Sequence, residues 1–210
     1  MSVTRLAENY IQEHPSIKDC LKNDLINYSS LSRLIASESG INLKKNFDAI
    51  LIACRRFKRK LKQEGFFEKR ILKILKGSKI EIKNKIIAVV LEKDIFFSTL
   101  LNLEKEIKGK KEIFRIIEGI SAITIITTED VLDLIRKNFK NKIILENRNL
   151  AEITIRSPIE IEGVPGTYAY LCSLFGDNNI NVVETLSCYT DTIFLVDEKD
   201  AGKVMGLLRF

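Results

Sequence analysis

The order in which strand-like and helix-like segments alternate after residue 78 most constrains the fold of this chain. The segments are, in turn, a β-branched run at 85–92, a helical pattern at 95–107, two strands within 112–129, a helical pattern at 130–139 and a strand at 142–147. This β-α-β-β-α-β order is that of a ferredoxin-like unit. The sequence therefore predicts an α+β protein with one such unit over residues 79–148.

The same order recurs over residues 149–210, which predicts a second unit of the same type. Its segments are a strand at 151–161, a helix at 164–178, strands at 180–188 and 191–198, and a helix at 199–208. An offset of 70 places Ile123 on Ile193 and Leu101 on Leu171. Regular self-similarity of this kind indicates an internal duplication.

The second unit lacks its last strand, because the sequence ends at Phe210, directly after the final helical pattern. We expect its sheet to be completed by one of three partners: a segment such as 79–82, the first unit, or a second chain.

The first 78 residues are predicted to be helical. Helical patterns occupy 3–13, 16–23, a segment capped by Ser29 or Ser30 and ended by Gly40, a segment that starts at an Asn46 cap and runs to residue 63, and 66–76. Two helices joined by a glycine-containing turn have the spacing of a helix-turn-helix. Residues 1–78 are therefore expected to form a helix-turn-helix or winged-helix-like module.

Positive charge is concentrated in this N-terminal part. Residues 1–80 contain 17 Lys and Arg against 8 Asp and Glu, whereas residues 81–210 contain 17 against 20. The cations opposite the apolar face of the helix at 47–62 are Arg55, Arg56, Lys58, Arg59, Lys60 and Lys62. On the second helix of a helix-turn-helix they would reach DNA phosphates, with base contacts less favoured because they lie toward the helix C-terminus. The alternative is a solvated face with no nucleic-acid partner.

A second candidate site lies in "EGVPGT", between the strand at 151–161 and the next helix. Pro165 has a fixed φ and no N–H, so it is predicted to lie in the first turn of that helix. Gly163 and Gly166 lack a β-carbon, which lets the backbone bend and approach a ligand. Unpaired N–H groups at a helix start favour anions, so a small carboxylate would dock there. The alternative is that Pro-Gly only forms a turn and a helix start.

Residues 150–208 resemble an ACT domain, the amino-acid-sensing module of metabolic enzymes and regulators. The likeness lies in "VPGTYAYLCSLFGDNNINVVE" and "SCYTDTIFLVDEKDAGKVMGLL", which are most similar to the tandem ACT domains of aspartate kinases. The resemblance implies an amino-acid site, usually at an interface between two ACT units, and hence a homodimer. The residues that it assigns to this site are Gly163, Val164, Pro165, Gly166, Thr167 and Asn181. Many ligand-binding ACT loops have Asp or Asn two residues before the proline, where this chain has Gly163.

The N-terminal part is similar to that of archaeal predicted regulators of amino-acid metabolism that contain an ACT domain. "HPSIKDCLKNDLINYSSLSRLIA" and "FDAILIACRRFKRKL" are the stretches that carry this likeness. It implies a regulator of amino-acid metabolism. We expect no cofactor.

The sequence gives no indication of an enzyme or of a metal site. His14 is the only histidine, and Cys20, Cys54, Cys172 and Cys188 form no C-x-x-C pair. We expect the cysteines to be reduced thiols, mostly in the core. No P-loop or G-x-S-x-G motif occurs. No apolar run approaches the roughly 20 residues of a membrane span, and the N-terminus lacks a signal peptide, so a cytoplasmic location is expected.

These observations predict a transcriptional regulator in which a tandem ACT module binds a small amino acid and the basic module binds nucleic acid. The alternative is a non-enzymatic regulatory subunit that docks on an amino-acid biosynthetic enzyme. A third reading is an ACT pair that dimerises and binds no small molecule.

Overall fold

The computed structural model describes residues 2–210, apart from the side chains of residues 62–68. The chain divides into two compact units, Met1–Arg70 and Ile71–Phe210. The first unit contains α1 (Val3–Glu13), α2 (Pro15–Lys22), α3 (Tyr28–Glu38) and most of α4 (Leu43–Lys76). The predicted helical segments at 46–63 and 66–76 both fall within α4.

The core of the first unit is formed by one apolar face of each helix. Its buried members are Ala7, Tyr10, Ile11, Leu21, Leu31, Ile35, Ala36, Ile50, Ala53, Cys54, Phe57 and Leu61. The residues from α4 recur at spacings of three and four, as expected for an amphipathic helix. Every secondary-structure element that the structure describes in this unit is a helix. The described residues of the unit therefore contain no wing hairpin.

The helix starts differ from the predicted ones. The N-cap of α3 is Asn27, whose Oδ1 accepts from the Ser30 N–H at 3.0 Å, so neither predicted serine caps it. Before α4, the Oδ1 of Asn42 accepts from the Lys45 N–H at 3.2 Å, four residues ahead of the predicted Asn46. Asparagine suits both places because its short side chain reaches the unpaired N–H groups of the first turn. Gly40 follows α3 with φ 64°, as predicted.

The second unit is a six-stranded sheet with four helices. The strands are β1 (Lys79–Glu92), β2 (Phe114–Glu118), β3 (Ala122–Thr128), β4 (Ile143–Arg156), β5 (Val182–Cys188) and β6 (Asp191–Asp197). The helices are α5 (Phe97–Gly109), α6 (Leu132–Phe139), α7 (Thr167–Gly176) and α8 (Ala201–Leu207). The strand order is β2-β3-β1-β4-β6-β5, and every neighbouring pair is antiparallel. The strand predicted at 151–161 ends earlier, at Arg156, and Ile159–Gly163 forms a 3₁₀ helix.

The long strands β1 and β4 are shared between two halves of the sheet. Residues 79–83 pair with 152–156, which lie beside β6, whereas residues 86–91 lie beside β3 and pair with 143–150. Each half therefore has four strands in the ferredoxin-like order. The strand missing from the C-terminal half is supplied by residues 79–83, the first of the three partners considered.

The halves are related by an internal repeat whose offset differs from the predicted 70. Ile86 pairs with Thr128 in one half, and Leu150 pairs with Asp197 in the other. Thr128 and Asp197 are 69 residues apart, so the offset of 70 is wrong by one residue in these strands. The predicted equivalence in the helices fails as well, because Leu101 is 40% exposed whereas Leu171 is fully buried.

Helices cover one face of each half, while the opposite faces pack on each other. The core between these opposite faces contains Ile86, Ala88, Ile126, Leu150, Ile193 and Leu195. The Oγ1 of Thr124 on β3 donates to Glu184 on β5 at 3.3 Å. Four strand spacings of about 4.8 Å separate β3 from β5 in a flat sheet, so this contact requires the sheet to fold over on itself.

Candidate functional site

The backbone conformation at the start of α7 favours glycine. Gly166 is the N-cap and has φ 90°, a left-handed conformation that residues with a β-carbon rarely adopt. A β-carbon added there would lie 3.5 Å from Ile71 Cδ1, an ordinary contact, so conformation rather than space selects glycine. Pro165 precedes the N-cap, so its predicted place in the first turn is wrong. The first N–H groups of α7 have no intrahelical acceptor.

A cleft of 490 Å³, which we call the α7 cleft, lies at this helix start. Its lining residues are Ile161, Glu162, Val164, Pro165, Gly166, Thr167, Tyr168, Ala169, Ser187 and Tyr189. Four of the five predicted loop residues thus line one cleft. The fifth, Gly163, does not line it and ends the preceding 3₁₀ helix. Among the described residues that line the cleft, Glu162 has the one charged side chain.

Two hydrogen bonds from hydroxyl groups join residues that line the α7 cleft. Thr167 is 2% exposed, and its Oγ1 donates to the Val164 carbonyl at 3.3 Å, which closes the loop before the helix. The Tyr168 hydroxyl forms a hydrogen bond with the Ser187 hydroxyl at the end of β5. The Thr167 side chain therefore supports the loop and is occupied within it.

Asn181 lies in a different place. It lines a second cleft of 510 Å³, the β4–β5 cleft, together with Glu146, Asn147, Arg148, Leu150, Asn179, Val183, Asp197, Lys199 and Asp200. Helix α7 has ten residues, about 15 Å of helix, and separates Asn181 from the Gly166 end. The structure therefore does not bring Asn181 and the α7 cleft together within one copy of the chain.

The basic face of α4 is partly neutralised by acidic groups of its own unit. Lys58 forms an ion pair with Asp24, whose hydrogen bond raises the pKa of the lysine. Lys60 Nζ lies 3.0 and 3.1 Å from the two carboxylate oxygens of Glu8. Lysines held in this way are less available to phosphates than the sequence suggested.

The arginines of this face, unlike Lys58 and Lys60, form no ion pair with any described residue. Arg55 lies over the Tyr28 ring, 5.8 Å from its centroid. Arg56 and Arg59 are exposed and form no ion pair with any described residue. The remaining predicted cation, Lys62, lies outside the described residues.

Two exposed cations of α4 lie outside the helix that the sequence predicts. Lys44 and Lys45 occupy its first turn, where the prediction still placed a loop. The pattern that would have revealed them is Asn42, a capping residue directly before Leu43.

The thiols and the histidine have ordinary surroundings. Cys54 is buried, and burial raises its pKa to about 11. Cys20 is half-buried, and Cys172 is exposed, so the expectation of a core thiol is wrong for Cys172. Cys188, which lies in no helical apolar pattern, is exposed as well. Nδ1 of His14 donates to the Tyr10 carbonyl at 2.7 Å. Within the described part of the chain, no group of three His, Cys, Asp or Glu side chains could hold a metal ion, and no helix is long and apolar enough to cross a bilayer.

The α+β architecture with its antiparallel sheet matches the ACT-type regulatory region of aspartate kinases. The regulatory subunit of aspartate kinase from Thermus flavus superposes with a TM-score of 0.50 and 9% identity, over 64% of this chain and 96% of that one. Aspartate kinase from Clostridium acetobutylicum superposes with a TM-score of 0.50 and 13% identity, over 61% of this chain. This chain spans only 33% of the Clostridium enzyme. No family model matches the sequence, and no curated protein matches it.

Proposed function

We propose that this chain is an amino-acid-responsive regulator without catalytic activity of its own. Residues 79–148 and 149–210 are its two ACT units, and residues 79–83 add a strand to the second one. The observation that carries the proposal is the α7 cleft: a glycine-dependent helix start lined by a continuous loop, on a fold shared with a regulatory subunit of an aspartate kinase. The fold supports the regulatory class, and the cleft supports a small ligand.

The chemistry of the α7 cleft suits a zwitterion. The N–H groups at the start of α7 would hold the ligand's carboxylate, since the positive end of the helix dipole lies there. Glu162 would pair with the ammonium group. The rings of Tyr168 and Tyr189, which are 39% and 67% exposed, offer apolar surface to the ligand's side chain.

A second copy of the chain would complete the amino-acid site. Asn181 cannot reach a small ligand at Gly166 within one chain, but the two positions would meet where two copies pack with opposite polarity. We therefore propose a homodimer formed through the ACT units. A ligand at that interface changes the arrangement of the dimer only if it binds one arrangement better than another.

The proposed output is nucleic-acid binding by residues 1–78, with α3 and α4 acting as a helix-turn-helix. Arg55, Arg56 and Arg59 would contact phosphates, together with Lys62 and with Lys58 and Lys60 once these exchange their present partners. A dimer would present two such modules, and a change in their spacing would alter the fit to half-sites about 34 Å apart.

The alternative is a regulatory subunit that docks on an amino-acid biosynthetic enzyme. It is favoured by the ion pairs of Lys58 and Lys60, which reduce the charge available to phosphates. The likeness to a regulatory subunit over 96% of that subunit's length also favours it. Retention of an enzyme of amino-acid synthesis on the immobilised chain, without retention of DNA, would decide for this alternative.

A thermal-shift screen of the full chain against each standard amino acid tests the sensor proposal. A ligand that binds only the folded state increases the free energy of unfolding by mass action, by about 2.7 kcal/mol at a ligand concentration of a hundred times Kd. The apparent Tm rises in consequence. We expect one or a few amino acids to raise Tm. An unchanged Tm with all of them, at concentrations far above physiological ones, would reject the proposal.

A further inference from the structure

The β4–β5 cleft lies where β4 passes from one half of the sheet to the other. Asn149 has φ 55° there, and the pairing of β1 with β4 shifts register on either side of Ile86. Residues 146–148 belong to the part of β4 that pairs in the N-terminal half, whereas Asn181 and Asp200 belong to the C-terminal half. A ligand in this cleft would therefore contact both halves.

Three asparagine side chains line the β4–β5 cleft and make its surface polar. Asn147, Asn179 and Asn181 line it, and none of the three forms a side-chain hydrogen bond with a residue that the structure describes. Each carboxamide offers one acceptor oxygen and two donor hydrogens. Leu150 and Val183 supply a small apolar surface beside them. Such a lining suits a small polar molecule better than an apolar one.

Some charges of the cleft are already paired. Lys199 Nζ lies 2.8 Å from Asp197, and Arg136 donates to Glu146 at 2.8 and 2.6 Å. These bonds lower the pKa of both carboxyl groups. Asp197 and Glu146 therefore stay ionised, and each is already paired with a cation of the chain.

Two charged groups retain capacity for a ligand. Asp200 makes no ion pair within the described ranges. Arg148 bonds to Glu129 through Nη2 alone, which leaves further N–H donors on its guanidinium. One carboxylate and one guanidinium beside three carboxamides are complementary to an ammonium group, a carboxylate and a polar side chain.

We propose that the β4–β5 cleft binds a free α-amino acid with a small polar side chain, as a second site separate from the α7 cleft. Asp200 holds the ammonium group, Arg148 holds the carboxylate, and the carboxamides bind the side chain. This inference rests on the proposed amino-acid-sensing function and adds a site and a ligand preference to it. Because the ligand bridges the halves of the sheet, binding at this site stiffens their junction.

Calorimetric titration of the full chain with L-asparagine and L-serine tests the proposal. Asp200→Asn and Asn147→Ala are each expected to weaken binding at least about tenfold, since hydrogen bonds to charged groups are among the stronger ones. The matched controls are Asp94→Asn and Asn102→Ala, which remove the same groups from exposed positions outside the cleft. N-acetyl-L-asparagine lacks the ammonium group, so it should fail to bind the unmodified chain.

The outcomes separate this proposal from the sensor function itself. Binding of L-asparagine or L-serine that Asp200→Asn and Asn147→Ala leave unchanged would overturn the second site and leave the sensor function standing. Binding of only large apolar amino acids would do the same. Absence of binding by every standard amino acid would overturn both. Circular dichroism of each variant shows whether a loss of binding reflects a loss of folding.

Discussion

Arg115 on β2 and Glu152 on β4 form a bidentate ion pair between the two halves of the sheet. Nε of the arginine lies 2.9 Å from Oε2, and Nη2 lies 3.0 Å from Oε1. Glu152 is 1% exposed, and Thr154 Oγ1 is its other partner at 3.3 Å. Two strands separate β2 from β4 in the sheet, so this pair fixes how the halves fold over each other.

Replacement of Arg115 by leucine should destabilise the chain by about 3 kcal/mol, because it leaves the Glu152 carboxylate buried without its counter-ion. Urea unfolding of the full chain measures this change. The control is Arg136→Leu, which removes a pair of similar geometry with Glu146 from the surface and should cost much less. Equal losses in the two variants would show that the pair does not hold the halves together.

The double variant Arg115→Leu with Glu152→Leu should recover part of the stability that Arg115→Leu loses. Apolar residues of similar volume often replace a buried ion pair at little cost, since both charges then leave the interior. The same urea experiment reports it. A double variant less stable than the single one would mean that the pair contributes more than mutual neutralisation.

Gly166→Ala should lower stability by about 1–2 kcal/mol, the cost of a left-handed conformation for a residue with a β-carbon. Thermal unfolding measures the change. The control is Gly163→Ala, three residues earlier, where an added β-carbon meets no atom within 4 Å and φ is not in the left-handed region. If both variants unfold at the same temperature, the loop does not depend on its glycine in the way proposed.

The cysteines should react with iodoacetamide in an order set by burial and pKa. At about pH 8, Cys172 and Cys188 are expected to react readily because they are exposed. Cys54 should stay unlabelled, since it is buried and the pKa of about 11 keeps it as a thiol, whereas the thiolate is the nucleophile. Peptide mass spectrometry gives the extent at each site, with unfolded chain as the control in which all cysteines react. Labelling of Cys54 as fast as Cys188 would contradict the described core.

If residues 1–78 bind nucleic acid, Arg56→Ala with Arg59→Ala should weaken binding at all sequences alike. It should also reduce the slope of log K against log salt concentration by about 2, since each phosphate contact releases about one counter-ion. Fluorescence anisotropy with duplex DNA over a range of salt concentrations measures both. Lys105→Ala with Lys137→Ala removes the same charge from the second unit and should leave the slope unchanged. No binding even at low salt would favour the enzyme-docking alternative.

The local parts of this fold are readable from the sequence. The apolar spacing in α4 predicts the burial of Cys54, Phe57 and Leu61, and the alternation of helix and strand patterns predicts the element order of the second unit. The continuous loop 164–167 lines one cleft as expected, because neighbours in sequence are necessarily neighbours in space.

The remaining features depend on contacts between residues far apart in the chain. No local pattern shows that residues 79–83 complete the C-terminal half of the sheet, or that Arg115 meets Glu152, 37 positions away. Tyr189 lines the α7 cleft because the β5–β6 hairpin brings it there. Asn181 does not line this cleft, because the length of α7 separates it from Gly166. These placements follow from strand pairing and the folding of the sheet.

The central claim is that the α7 cleft binds a free amino acid. The most direct measurement is calorimetric titration of the unmodified chain and of Glu162→Gln with the amino acid that raises Tm most. The account predicts saturable binding to the unmodified chain and binding at least about tenfold weaker to Glu162→Gln, because the ammonium group loses its carboxylate. Equal affinity for both proteins, or no saturable binding by the folded chain, would contradict it.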